Sequence, residues 1–327
     1  MVAGACIGGG EPARDRAEGP STSPSAGTGA TTTFTATTTT TAPSELPAVD
    51  WTARPDEGEP RAVVTPTGVV LPVGGTDGRR FAATTPCFGT MSVPGTPLYG
   101  AHVVLDPGHG GDELGAVGAT GLTEAAVNLT IAEETARLLE STGATVALTR
   151  TADYRITLQT RAEIATRLDP LAFVSIHHNA EPDGPWPRPG SETYYQIESP
   201  DSKRLAGLLW EELVAAFSRF TAEWVADTDA GAKYRLSSSG TDYYGILRRT
   251  AGIPAVLSEA AFISNPSEEA LLTTPEFQHA EAVAISRAII RFVTTDDPGS
   301  GFTEPYPRST PAGPGGGTAG CLDPPLS

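Results

Sequence analysis

Val-Val-Leu-Asp-Pro-Gly-His-Gly-Gly (103–111) is an apolar run that stops at an aspartate and passes into a glycine-rich turn carrying one histidine. Two later stretches share this build: Phe-Val-Ser-Ile-His-His-Asn-Ala (173–180) and Ala-Val-Leu-Ser-Glu-Ala-Ala-Phe-Ile-Ser-Asn (255–265). Each reads as a buried strand that ends abruptly at a polar residue. In open α/β sheets, ligand sites form where the carboxyl ends of strands meet. His109, His177 and Glu259 are therefore expected in one crevice. Two imidazoles and carboxylates in a shared pocket are what a hydrolytic zinc site requires.

Outward from these runs, strand and helix patterns alternate. Apolar runs at 102–105, 145–149, 171–176, 193–197, 244–248 and 255–258 read as strands, and amphipathic stretches near 124–141, 157–168, 201–220 and 276–293 read as helices. The alternation predicts an α/β domain over 100–295, with a mixed, largely parallel twisted sheet flanked by helices. Short β-like pieces punctuated by Gly and Pro, including Thr-Asp-Gly at 76–78, predict a small β-hairpin annex over 50–99. Residues 1–49 are a Ser/Thr/Pro-rich linker too polar to bury a core, and 296–327 read as a Pro/Gly-rich tail.

The chain has 327 residues and a formal charge of -17, which argues against a nucleic-acid partner, whose phosphates demand a basic surface. Every apolar run breaks before the roughly 18 residues that a membrane span needs. The three cysteines have no Cys-x-x-Cys spacing and point to a secreted, oxidising setting rather than to zinc ligation. Cys6 follows Val-Ala-Gly-Ala and resembles a bacterial lipobox, yet no basic and apolar signal segment stands ahead of it. It reads either as a lipidation site, giving a membrane tether, or as an ordinary thiol.

The glycines around His109 permit a tight turn that aims the imidazole at the crevice. Glu124 opens the first helix, where a carboxylate is favoured by the helix dipole. Glu259 lies among Val256, Leu257, Ala260, Ala261 and Phe262, where a lone carboxylate is costly to bury. A surface histidine, a first-turn acid, a core histidine and a buried ion pair would each explain one of these residues. Their coincidence at strand ends favours a site, and residue reasoning alone reaches a metal hydrolase and stops there.

The three stretches resemble those of the zinc-dependent N-acetylmuramoyl-L-alanine amidases (amidase type 3). Gly121-Leu-Thr-Glu-Ala-Ala-Val-Asn-Leu resembles that family's helix opening; Leu148-Thr-Arg, Asp153 and Leu158-x-x-Arg161 resemble its second strand and the helix after it. The series is collinear over nearly all of 101–295. The resemblance implies a Zn2+ cofactor held by His109, Glu124 and His177, with Glu259 as the catalytic carboxylate. It implies hydrolysis of the amide between N-acetylmuramic acid and L-alanine in peptidoglycan or muropeptides, in wall remodelling, turnover or daughter-cell separation. An extracytoplasmic monomer, secreted or lipid-anchored at the envelope, fits this. Ser258 and Ala261 depart from the valine-like and glycine residues common beside the family's catalytic Glu.

Strand alternation puts His177 on one side with Ser175 and Asn179, and His178 on the other with Val174 and Ile176. This selects His177 as ligand, Asn179 as a substrate-orienting residue and His178 as a residue that either supports the ligands from behind or packs in the core, and whose replacement should be mild. Asp106, Arg150 and Arg161 are expected to partner one another. Cys87 and Cys321 are expected to form a disulfide, because a lone Cys in a Gly/Pro tail has little packing reason to be there. Two rival functions share these features: a catalytically silent wall-binding domain, and a zinc peptidase or deacetylase acting on another wall bond.

Overall fold

A computed structural model describes residues 46–52, 57–304, 306–307 and 317–327; Cys6 and most of the N-terminal linker lie outside them. Along the chain run β1 (Ala62–Val64), β2 (Val70–Thr76), β3 (Phe81–Thr84), β4 (Thr90–Val93) and β5 (Thr96–Leu98), then β6 (Val103–Pro107), α1 (Glu124–Ser141), β7 (Val146–Leu148), α2 (Leu158–Leu168) and β8 (Ala172–Asn179). There follow β9 (Gly184–Pro185), β10 (Glu192–Tyr195), α3 (Pro200–Phe217), β11 (Val225–Ala226), β12 (Ala232–Lys233), β13 (Arg235–Leu236) and α4 (Gly245–Arg249). The last are β14 (Ala255–Phe262), α5 (Pro266–Leu272), α6 (Pro275–Thr294) and β15 (Tyr306–Pro307).

The main sheet has the order β12-β10-β14-β8-β6-β7. Its β7-β6-β8-β14 block is parallel and β10 pairs antiparallel to β14, so the sheet is mixed and largely parallel as expected. Side-chain alternation divides the core in two. Val103, Leu105, Val174, Ile176 and Val256 face α1, α3 and α6, whereas Val104, Phe173 and Leu257 face α2, α4 and the annex. Burial on both faces is why these strands read as continuous apolar runs rather than as alternating ones.

The annex is a five-stranded antiparallel sheet of order β4-β3-β2-β1-β5. Its Val63, Leu71 and Phe81 belong to one buried cluster with Ile164, Phe173 and Leu257 of the α/β half. The run 244–248, read as a strand, is instead helix α4. A five-residue apolar run fits either state, and here Arg248 donates to the carbonyls of Asp242 and Tyr243, which helps turn the chain into a helix burying Ile246 and Leu247. The chain after Asp296 also departs from a simple tail. Gly301 O accepts from Ala232 N at 2.8 Å, Ala232 O accepts from Thr303 N at 3.1 Å, and a Cβ on Gly299 would lie 2.7 Å from Leu208 N, so 299–303 fits closely against α3 and β12.

Cys87 and Cys321 are disulfide-bonded across a sequence separation of 234. Closing so long a loop restricts the unfolded chain, so Cys321→Ser is expected to lower the unfolding free energy by about 2 to 4 kcal/mol. The denaturant midpoint reads this out, and an unchanged midpoint would show that the tail needs no sulfur to hold it.

Candidate active site

β6 ends in a loop that Gly108 begins. A Cβ there would sit 2.1 Å from His177 Cε1, so only glycine lets the His177 ring lie across the loop. His109 follows with φ 61°, a left-handed conformation that L residues adopt at a penalty. Two buried arginines brace this backbone. Arg150 donates to the carbonyls of Pro107, Gly108 and Ala125 at 2.7–2.9 Å, and Arg161 donates to those of Pro107 and His109 at 2.7 Å.

Arg161 also pairs with Asp106 at 2.7 Å, as expected, while Asp106 accepts from Thr149 and Ser175. Burial works against the Asp106 carboxylate, but these partners hold its pKa below the ordinary range. Arg150 differs from the expectation: its hydrogen bonds go to carbonyls and not to Asp106, and burial together with the Arg161 charge pulls its pKa down to about 10.

Glu124 is the first residue of α1, whose N-cap is Thr123. Its Oε2 lies 3.1 Å from His109 Nε2 and its Oε1 lies 2.9 Å from His177 Nδ1. One donor atom from each of the three residues falls within 4.8 Å of the others, so the triad chosen from the sequence converges. Burial would raise the Glu124 pKa, but hydrogen bonds from His109 and His177 outweigh it and hold the carboxyl well below its usual range. Burial lowers the His177 pKa, which favours the neutral, metal-binding imidazole. Two imidazole nitrogens and a carboxylate oxygen make a donor set that could hold a divalent cation. His109 and His177 border a cleft of about 420 Å³ also lined by Glu113, Ile156, Leu158, Arg161 and Ile246.

Glu259 stands beside His177 in the parallel β8–β14 register. Its Oε2 is buried without a hydrogen-bond partner among the described residues. Burial, then the charges of Glu124 and Glu192, push its pKa well above the ordinary carboxylate value. A carboxyl so placed is suited to exchanging a proton rather than to bracing the fold.

The sequence reading missed Glu192, which is fully buried and faces Glu259 across the β10–β14 pair. It accepts from Lys233 Nζ at 2.7 Å, from Asn179 Nδ2 at 3.0 Å and from the Tyr194 hydroxyl. Asp227 and Asp229 converge on it, yet Lys233 and Arg235 already compensate this acidic group. A charged residue opening a four-residue fully buried strand was the available signal.

His178 points away from the cleft, as alternation required, and of its two expected places its contacts favour support behind the ligands over plain packing. Its Nδ1 lies 2.8 Å from Asn128 Oδ1, its Nε2 lies 3.1 Å from Glu281 Oε2, and both side chains of the His178–Glu281 pair are 0% exposed. Its backbone N–H donates to Glu124 Oε1 at 3.2 Å, and Asn128 Nδ2 donates to Gly108 O at 3.3 Å. This network argues against a mild replacement, and periodicity could not reveal it because Glu281 is 103 residues away.

Sequence comparison agrees with this geometry. The N-acetylmuramoyl-L-alanine amidase family profile matches residues 103–291. LytC, an N-acetylmuramoyl-L-alanine amidase of Bacillus subtilis (strain 168), is 33% identical over 198 residues, covering 60% of this chain and 36% of LytC. The protein YqiI of the same organism is 34% identical over 59% of this chain and 85% of its own length. The catalytic domain of CwlV, an amidase from Bacillus (Paenibacillus) polymyxa var. colistinus, superposes with a TM-score of 0.50 at 31% identity over 59% of this chain and 98% of that one. With its matched segment spanning the elements that carry the convergent triad and Glu259, the chain belongs to the N-acetylmuramoyl-L-alanine amidase family of hydrolases.

Proposed function

We propose that this protein is a zinc-dependent amidase that cleaves the bond between N-acetylmuramic acid and L-alanine in peptidoglycan outside the cytoplasm, secreted or tethered through Cys6. The observation that carries the reading is the convergence of His109, Glu124 and His177 beside an unpartnered, partly buried Glu259. The donor set fits zinc, which accepts His and carboxylate ligands and keeps a fourth position open in catalytic sites. Bound there, zinc supplies Lewis-acid polarisation of the scissile carbonyl and lowers the pKa of the attacking water to about 7.

His109, Glu124 and His177 hold the ion. Glu259 takes the proton from the attacking water and delivers it to the departing L-alanine amine. Asn179 gives one amide N–H to Glu192 and offers its second N–H to substrate. The protein acts as a monomer on intact peptidoglycan or on muropeptides.

Digestion of purified peptidoglycan tests this directly. Free stem peptides with an L-alanine amino terminus support the amidase; shortened peptides mean a peptidase, released acetate a deacetylase, and no product a wall-binding domain. Activity is also expected to fall on acidification. Glu259 accepts a proton only as carboxylate, and its raised pKa brings protonation in at a higher pH than for an ordinary Glu. Imidazoles release metal when they protonate, which acts in the same direction. A kcat/KM that rose toward acid pH would remove Glu259 from the base role.

A further inference from the structure

The C-terminal residues 317–327 reach the metal-binding loop through one guanidinium, that of Arg155. Its Nη1 lies 3.1 Å from Asp112 Oδ2 and donates to Ala319 O at 3.1 Å. Its Nη2 lies 3.0 Å from Glu113 Oε1 and donates to Gly317 O at 2.9 Å. The guanidinium thus hydrogen-bonds Asp112 and two tail carbonyls and forms an ion pair with Glu113, and only 11% of the side chain is exposed. The far end of the tail is fixed to the annex. Besides the Cys87–Cys321 bond, Asp323 Oδ1 accepts from Cys87 N and Pro325 O accepts from the Thr67 hydroxyl, both at 2.7 Å, and Leu326 is buried in the annex cluster.

The loop between them needs such support. His109, Gly110 and Gly111 are three successive residues with positive φ, at 61°, 128° and 61°. The backbone of Arg155 lies directly against this turn: a Cβ on Gly111 would meet Arg155 N at 2.7 Å, and Gly111 N donates to Asp153 Oδ1. A guanidinium that hydrogen-bonds three acceptors and pairs with a fourth oxygen fixes direction as well as charge.

We propose that Arg155 is a positioning residue for the metal site and that the disulfide-pinned tail is its anchor. The tail orients the guanidinium, the guanidinium holds Asp112 and Glu113, and His109 is thereby kept in ligand geometry on a strained backbone. Glu113 also lines the cleft, so the same clamp shapes the wall that substrate meets. The annex and tail, which lie outside the segment shared with the amidase family, become part of the active-site architecture. This inference rests on the metal-site reading above.

The experiment compares wild type, Arg155→Met, Arg155→Lys, a variant lacking 317–327, and the deletion combined with Arg155→Met. Affinity for Zn2+ alone is measured by competition with a chromophoric chelator, and amide exchange over 109–115 is measured without metal. Arg155→Met and the deletion are each expected to weaken Zn2+ binding about 10-fold and to speed exchange in the loop. Arg155→Lys, which keeps the charge without the fork, is expected to fall between. The double variant should be no weaker than the worse single one, because both act through one side chain. Native affinity and exchange after deletion, or strictly additive losses, would overturn the proposal. If the deletion prevents folding, Cys321→Ser with Asp323→Ala in the full chain releases the same anchor and carries the same expectations. His177→Ala separates the two readings: unchanged Zn2+ binding there removes the metal site, while metal-free loop exchange still judges the clamp.

Discussion

Glu259→Gln is expected to lose about 10² to 10⁴-fold in turnover while binding Zn2+ as wild type does. Glu259 is not one of the three convergent donors, and its unpartnered oxygen and raised pKa are those of a proton carrier. The same substitution should not destabilise the metal-free protein at neutral pH. An acid whose folded pKa exceeds its unfolded value near 4.5 opposes folding once the pH rises above that unfolded value, because the unfolded chain ionises first. Glutamine removes that opposition. Peptidoglycan digestion, metal analysis and a thermal melt on one preparation check all three points; loss of zinc from the Gln variant would reassign Glu259 as a ligand.

His178→Ala is expected to be the most damaging single change to stability near the site, at about 3 to 5 kcal/mol. Removing one partner of a fully buried pair leaves the Glu281 carboxylate with no compensating charge, and Glu281 Oε1 already has no hydrogen-bond partner among the described residues. The variant also frees Asn128, which braces Gly108 O. Replacing both members, His178→Leu with Glu281→Leu, should recover much of the loss, since apolar substitutes of similar size avoid the stranded charge. Denaturant unfolding of the two variants decides this. A single variant as stable as wild type would mean that Glu281 finds another partner.

The legible part of this molecule was the part written at short range. The strands β6, β8 and β14 announced themselves because they are buried on both faces, and the ligand choice of His177 over His178 followed from the period of two. Glu124 was readable as a helix-opening acid because its role coincides with its place at the N-terminus of α1. Contacts made across long separations left no periodic trace. Glu192 opposite Glu259, Glu281 beneath His178, and Arg155 between loop and tail are each set by topology. The 244–248 run failed for a different reason: five residues are too few for periodicity to separate strand from helix.

The annex core has a consequence for the order in which this chain acquires structure. Val63, Leu71 and Phe81 share one buried cluster with Phe173, Leu257 and Leu326. An emerging polypeptide therefore cannot finish its early strands on its own. The annex must wait, with apolar surface uncovered, until segments from far downstream arrive, and contacts of such sequence separation form slowly because long loops must close first. The annex is therefore the region where a stalled or truncated chain would expose adhesive surface to its neighbours.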